Sequence, residues 1–406
     1  MSALRQPVVA MVVYTHYDFD ARVRREAETL AAHGFRVVCF SNRVETKPRR
    51  YELCGVDVRE LDVPKYRGKS GAAYMASYAR FLAAASLACL RLSRDVRIDV
   101  VHCHNLPDVL AFAGLLPRIR GSRVVLDIHD SIPETFATKF ANGALRWKLL
   151  CLEERLGTLA AHRVICVNHP QRDALVARGL PERKAFVSMN VPDPRIFVPQ
   201  ARPATTRGDG SLDLVYHGTM AARLGVDLVI RAVHVLRDRL PLVRLHLWGG
   251  GDDLDAFRRL AAELGVSDRV DFRPEGYPLE QLPSRLASMD IGVVGNRRSP
   301  AGELMLPVKL LEYVSLRIPV VAPRLRTITH YFSEQMVSYY DPENVESMAD
   351  AIARLHGTRP VAQQQAERAA GFLDKYGWHR QGPDLVALYR ELAGVKQLPA
   401  QMGRAS

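Results

Sequence analysis

LVYHGTMAARLGVDLVIRA (Leu214–Ala232) and LMLPVKLLEYVSLRIPVVA (Leu304–Ala322) decide how this chain is read. The first runs from an apolar strand through a glycine turn carrying an arginine into an amphipathic helix. The second is a loop with Pro307 and Lys309, then Glu312 on the opening of a short helix, then the strand IPVVA. Such segments sit at the strand ends of a nucleotide-binding sheet. They supply cationic and backbone N–H partners for a diphosphate and a carboxylate for ribose hydroxyls, the two things a sugar nucleotide needs.

Outward from these stretches, the second half continues as an alternation of apolar strands (LDLVYHG, VRLHLWGG, RVDFRP, IGVVG, IPVVA, MVSYY) and helices. The first half does the same with VVAMVVY, RVVCF, VDVREL, DVVHCH, RVVLDIH and RVICVN. Its helices are expected over about Ala21–Ala32, Ala72–Leu92, Pro107–Leu115, Asn142–Ala160 and Pro170–Ala177. Apolar strands separated by helices predict parallel sheets covered on both faces. At 406 residues the chain is too long for one ordinary core. The polar, Pro/Gly-rich Gln200–Ser211 reads as a linker between a domain over 1–199 and a domain over 212–379. Neither half has a GxGxxG turn after its first strand: the turns are THYDFDARV and HGTMAARLG, which disfavours a nicotinamide-binding domain.

Composition is that of a globular protein, 48% hydrophobic and 25% charged, and the net charge of +12 suits anionic partners. Basic clusters occur at Arg22, Arg24 and Arg25, at Lys65, Arg67 and Lys69, and at Arg91, Arg94 and Arg97. They are not interleaved with stacking aromatics, so no nucleic-acid partner is expected. Six cysteines lie mostly inside apolar patterns with no CxxC pair, as in a reduced, cytoplasmic protein. No signal peptide is read at the start, because the first apolar run is short and flows into a strand–loop–helix unit. The most membrane-like piece, Gly71–Arg94, has Arg80 near its middle and is not expected to span a bilayer. It reads first as a buried helix with basic ends, and otherwise as a contact with an anionic membrane surface.

Taken in order, AETLAAHGFRVVCF, DVVHCHN, VVLDIHD, HGTMAARLGVDLVIRA, the long LHLWGGG segment through RVDF, the Lys309/Glu312 segment and the closing tryptophan with ALYREL resemble the family 4 glycosyltransferases over nearly the whole chain. The resemblance implies the α/β GT-B fold: two facing Rossmann-like, doubly wound domains, with the donor held mainly by the C-terminal one. It also implies that the last helix crosses back, so that 380–406 completes the N-terminal domain. The implied activity is that of a retaining, metal-independent hexosyltransferase of the kind found in bacterial surface polysaccharide biosynthesis. It would use a UDP- or GDP-sugar and a glycan or lipid-linked acceptor, with no cofactor, in the cytoplasm or peripheral on the inner face of the plasma membrane. Two alternatives share the fold: a non-catalytic nucleotide- or glycan-binding homologue, and a sugar-nucleotide 2-epimerase.

The chemistry asks for cations and N–H dipoles aimed at a diphosphate whose charge grows as the sugar bond lengthens. Gly218 lets the backbone approach, and the helix from about Val226 offers its N-terminus. The commonest family pattern has an arginine after the glycine and a lysine before the second one; here Thr219 and Leu224 stand there. Arg223, one position earlier than the usual lysine, is the candidate substitute, and Lys309 is the second cation. Glu312 resembles the second glutamate of the family's E-x7-E motif. The first would fall at Leu304, with Glu303 one residue out of register. The loop before Glu312 maps the sugar-holding N–H groups onto Met305 and Leu306, since Pro307 has none. The base is expected near Phe272–Gly276, around Pro274.

In the other domain His129 matches the family histidine facing the donor sugar, so His129, Arg223 and Lys309 are the candidate catalytic residues. Asp20 and Arg22 occupy the acceptor-side loop, with helix capping the competing explanation for Asp20. His102 and His104 share one face of a strand, but no third ligand is indicated and a metal is not expected. Asp253 and Asp255 read as a helix cap.

Overall fold

The computed structural model describes residues 5–66, 68, 70–139, 143–199 and 210–395. The chain divides into two compact units, one running to Asn190 and resuming at Gln381, the other Val191–Arg380. Most of the expected linker, with Arg67, Lys69 and Asn142, lies outside the described residues. The change of unit comes earlier than expected, because Val191 and Phe197, both buried, already belong to the second unit.

The first unit holds β1 (Val8–Val13), β2 (Arg36–Asn42), β3 (Arg50–Leu53), β4 (Val56–Leu61), β5 (Val100–His104), β6 (Arg123–Ile128), β7 (Arg163–Cys166) and β8 (Ala185–Val187). Their order is β3-β4-β2-β1-β5-β6-β7-β8, parallel except for the β3–β4 pair. Every residue of β1 and β5 is buried, as strands covered on both faces must be. The two unexpected strands are the edges: β3 is polar and half-exposed, and β8 is three residues long, so neither carries a readable apolar run. Over Pro107–Leu115 the expected helix is a 3₁₀ segment, Asp108–Gly114, continued as the helix Leu115–Ile119.

The helix Gly71–Asp95 buries only one stripe, Phe81, Ala85, Cys89 and Leu92, against the core of this sheet. The expectation of a buried helix is thereby corrected: by length and composition it could cross a membrane, yet 17% of its most apolar window is buried. The C-terminal helix Trp378–Ala393 joins the first unit from Gln381 onward. Gln381 accepts the Met189 N–H, and buried Tyr389 meets Phe35 edge-on at 6.3 Å.

The second unit holds β9 (Leu212–His217), β10 (Val243–Trp248), β11 (Val270–Arg273), β12 (Ile291–Val293), β13 (Val320–Pro323) and β14 (Ser338–Tyr340). All are parallel, in the order β11-β10-β9-β12-β13-β14. The winding reverses between β9 and β12, and the crevice outside the carboxyl ends of two such strands is where doubly wound sheets take ligands. The helix Val226–Leu236 turns Val226, Val229, Ile230, Val233 and Leu236 into the core beside Leu214 and Leu245. Its start is set by Gly225 at φ 68°, where any Cβ would collide with the Gly295 carbonyl after β12.

Candidate active site

The carboxyl edge of the second sheet is laced by its glycine turns. Gly218 N–H donates to Trp248 O (2.8 Å), Gly249 N–H to Arg273 O (2.8 Å) and Met220 N–H to Gly250 O (2.9 Å). This lacing puts the β9 turn on the same edge as Pro274, which follows β11; the Pro274 carbonyl faces Gly250, where a Cβ would lie 3.2 Å away. Gly218, at φ 104°, is exposed, and the Thr219 N–H has no partner among the described residues.

Lys309 comes to this turn from the helix Val308–Ser315. A Cβ on Gly218 would lie 3.9 Å from its Nζ, which stands 3.5 Å from the centroid of the Tyr216 ring. Burial pushes the ammonium down; Glu312 opposes this, Arg223 adds to it, and the pKa falls to about 7. Arg223 is exposed and makes no ion pair among the described residues, whereas its neighbour Arg297 is committed to Asp227 (2.5 Å) and Ala222 O (3.0 Å). Two cations that feel each other thus stand by a turn with an open N–H, and neither is in an ion pair among the described residues.

One turn along the same helix, Glu312 Oε2 lies 2.6 Å from His217 Nε2, while His217 Nδ1 lies 3.0 Å from Tyr313 Oη. Tyr313 in turn donates to Val215 O (3.1 Å). The carboxylate is fixed by one oxygen, leaving Oε1 for a further donor. His217 was not singled out in the sequence, although it directly precedes the glycine of the turn.

The loop before Glu312 departs from expectation. Met305 N–H is already given to Gly302 O (3.3 Å), so only Leu306 keeps a backbone donor without a partner among the described residues. Glu303 faces elsewhere: it accepts from Arg326 N (2.6 Å) and pairs with Arg298 (3.3 Å). Leu304, at the place of the missing glutamate, is buried. Asp253 stands at the first position of its helix but caps nothing there; its carboxylate accepts from Ala222 N (2.8 Å), bracing the arginine turn.

In the first unit Arg22 is not an acceptor-side cation. Its guanidinium is buried and forks onto both oxygens of Asp127 (2.8 Å each), with Glu26 at 3.1 Å and Ser188 O at 2.8 Å. Asp20 caps the helix Ala21–Ala32 by accepting from Val23 N (3.1 Å), so helix capping accounts for it. Both are occupied structurally because the loop ends at a helix whose first turn points into the core.

His129 Nε2 lies 3.0 Å from Asp127 Oδ2 and 3.1 Å from His104 Nδ1, with the ring partly exposed. Burial alone would depress its pKa, but the Asp127 charge and hydrogen bond outweigh it and raise it. Burial would raise Asp127; Arg22 and His129 hold it well below the usual carboxylate range. Behind them His102 is buried against Tyr389 Oη (2.7 Å), and burial holds it neutral. Against the expectation that no third ligand exists, Glu26, His102, His104 and Asp127 set one ligand atom each within 4.8 Å of one another. These donors suit a divalent cation, but the negative charge of Glu26 and Asp127 is already met by Arg22.

Solved structures with this architecture are GT-B glycosyltransferases. Sucrose-phosphate synthase from Thermosynechococcus elongatus superposes with a TM-score of 0.78 at 18% identity, covering 97% of this chain and 100% of the other. HepE from Anabaena, solved in complex with UDP, gives 0.66 at 14% identity over 95% and 100%. Residues 20–190 match the glycosyl transferase 4-like domain family, and 211–358 match the glycosyl transferases group 1 family. The chain belongs to the family 4 glycosyltransferases.

Among curated relatives, the GDP-mannose-dependent alpha-(1-6)-phosphatidylinositol monomannoside mannosyltransferase of Mycolicibacterium smegmatis is 30% identical over 173 residues, 42% of this chain and 45% of that protein. The lipopolysaccharide core biosynthesis glycosyltransferase LpsE of Rhizobium meliloti is 30% identical over 152 residues, 37% and 41% of the two chains. The chain matches less than half the length of these relatives.

Proposed function

We propose that this glycosyltransferase moves a hexose-type sugar from a UDP- or GDP-sugar to a hydroxyl of a glycan or lipid-linked glycan, with retention at the anomeric carbon and without a metal ion. The observation that carries this reading is the pair of cations, Arg223 and Lys309, beside an open turn and one helical turn from a carboxylate held by His217. Similar proteins support both nucleotides: GDP-mannose for the mycobacterial mannosyltransferase and UDP for the HepE complex.

In the proposed reaction the bond between the anomeric carbon and the diphosphate oxygen lengthens, and the departing charge is met by Arg223, Lys309 and the Thr219 N–H. The acceptor oxygen bonds the same face of that carbon, and its proton passes to the leaving diphosphate. Glu312 accepts from the ribose hydroxyls, Leu306 N–H holds a sugar hydroxyl, and the backbone around Pro274 meets the base. His129, whose pKa Asp127 raises, is assigned to the donor sugar on its match to the family histidine. The acceptor is presented in the cytoplasm at the inner face of the plasma membrane, as the basic charge of the chain favours. A thermal-shift screen of nucleoside diphosphates and sugar nucleotides, followed by assay of slow donor hydrolysis, tests this. No stabilisation by any member of the panel overturns it.

A further inference from the structure

The helix Ala144–Ala160 has a face that nothing among the described residues covers. Leu145, Leu149, Leu152, Leu156 and Leu159 recur at alternating steps of four and three, so they form one stripe. All five are exposed, Leu145 to 72%. Large apolar side chains scattered singly on a surface need no explanation, but an aligned row of five over about 21 Å of helix does. The short helix Leu115–Ile119 is exposed and apolar as well, Ile119 to 83%. That helix is tied to the end of the long one by Arg118 Nη1 donating to Ala160 O at 3.0 Å.

The charges on this helix tell which partner fits. Those on the exposed side, Arg146, Lys148 and Arg155, are all basic. Its two acids turn away: Glu153 accepts from Val109 N (2.9 Å) and Glu154 pairs with Arg178 (2.7 Å). Next to the short helix, Arg120 Nη1 reaches Ser93 O (2.9 Å) near the end of the helix Gly71–Asp95, whose own exposed residues include Met75, Leu87, Arg80 and Arg91. A second copy docking on the leucine stripe would set basic residues against basic residues, with no acid on the exposed side of this helix among the described residues to pair them. An anionic bilayer supplies apolar chains for the leucines and phosphates for the bases.

We propose that the leucine stripe of Ala144–Ala160, with the exposed helix Leu115–Ile119 tied to its end, is the surface by which this protein lies on an anionic phospholipid bilayer. The helix rests in the interfacial plane, leucines inward, with Lys148 and Arg155 at headgroup level. This deepens the reading of a membrane-presented acceptor and rests on it for its biological sense. The surface chemistry is nevertheless separate from the donor site.

The test is flotation of the full chain, without donor or acceptor, with vesicles of phosphatidylcholine alone or with one-third phosphatidylglycerol. The wild type is expected to float with the anionic vesicles. Leu149→Ser/Leu152→Ser/Leu156→Ser lowers partitioning more than about fiftyfold. Lys148→Gln/Arg155→Gln lowers it about thirtyfold on anionic vesicles and leaves neutral ones unaffected. Unchanged melting temperature and unchanged sugar-nucleotide stabilisation show that the variants are folded and that the donor site is independent. Absence of wild-type flotation, or equal flotation of the leucine variant, overturns the proposal. So does a wild-type dimer in sedimentation velocity that the leucine variant abolishes, which would assign the stripe to a second copy.

Discussion

Lys309 makes the donor site pH-dependent in a calculable way. Its ammonium is lowered to about 7 by burial and by Arg223, with Glu312 opposing, and a diphosphate arriving beside it favours the charged form. A donor that requires the charged lysine therefore binds with a Kd divided by the charged fraction. That fraction is about 0.9 at pH 6 and about 0.03 at pH 8.5 for a group titrating near 7. The diphosphate of a sugar nucleotide loses no proton over this range, so the Kd for the preferred UDP- or GDP-sugar should rise about thirtyfold between the two pH values. Titration calorimetry at pH 8.5 in buffers of different ionisation enthalpy should register uptake of nearly one proton per donor bound. Lys309→Met should bind weakly and with a flat pH profile. The same substitution should raise the melting temperature of the free protein at pH 7, because it removes an amine whose charged form the fold disfavours. A wild-type Kd that stays constant from pH 6 to 8.5, or a slope that survives in Lys309→Met, would refute the reasoning.

Three further outcomes can be checked. Glu312→Ala should weaken donor binding by about ten- to a hundredfold, the loss of charge-assisted hydrogen bonds to ribose; calorimetry should also show that only the wild type prefers the ribose donor over its 2′-deoxy analogue. Arg22→Met leaves Asp127 and Glu26 buried without their cation, and should cost about 3–5 kcal/mol of stability in urea unfolding. His129→Gln should lower kcat about a hundredfold with nucleotide affinity unchanged; because the His129 pKa is raised by Asp127, the wild-type contribution should be present at low pH and lost as pH climbs through that raised value.

Arg22 shows why part of the site could not be read along the chain. Its position in a loop entering a helix marked it as a ligand-facing cation, but its partner Asp127 lies 105 residues away. Glu312 was legible because it matches the second glutamate of the family's E-x7-E motif, yet the histidine that holds it is 95 residues upstream. Met305 and Leu306 looked alike as donors, and only the turn closing the helix Pro300–Leu304 spends one of them. The edge strands β3 and β8 were missed for a different reason. An edge strand is half-solvated or very short, so it carries little of the apolar pattern that marks a buried one.

What the sequence by itself determined is the pair of parallel sheets, the glycine turn after β9 and the residues offered at that edge. Period and turn chemistry are local properties, set by each residue and its near neighbours. Tertiary structure alone decided which charges are free and which are spent. It seated Lys309 on Tyr216 where its proton is loosely held, closed Arg22 around Asp127, and left a row of leucines facing outward. Burial and ion pairing depend on groups far apart in the chain, and their energies exist only once packing has excluded water from between them.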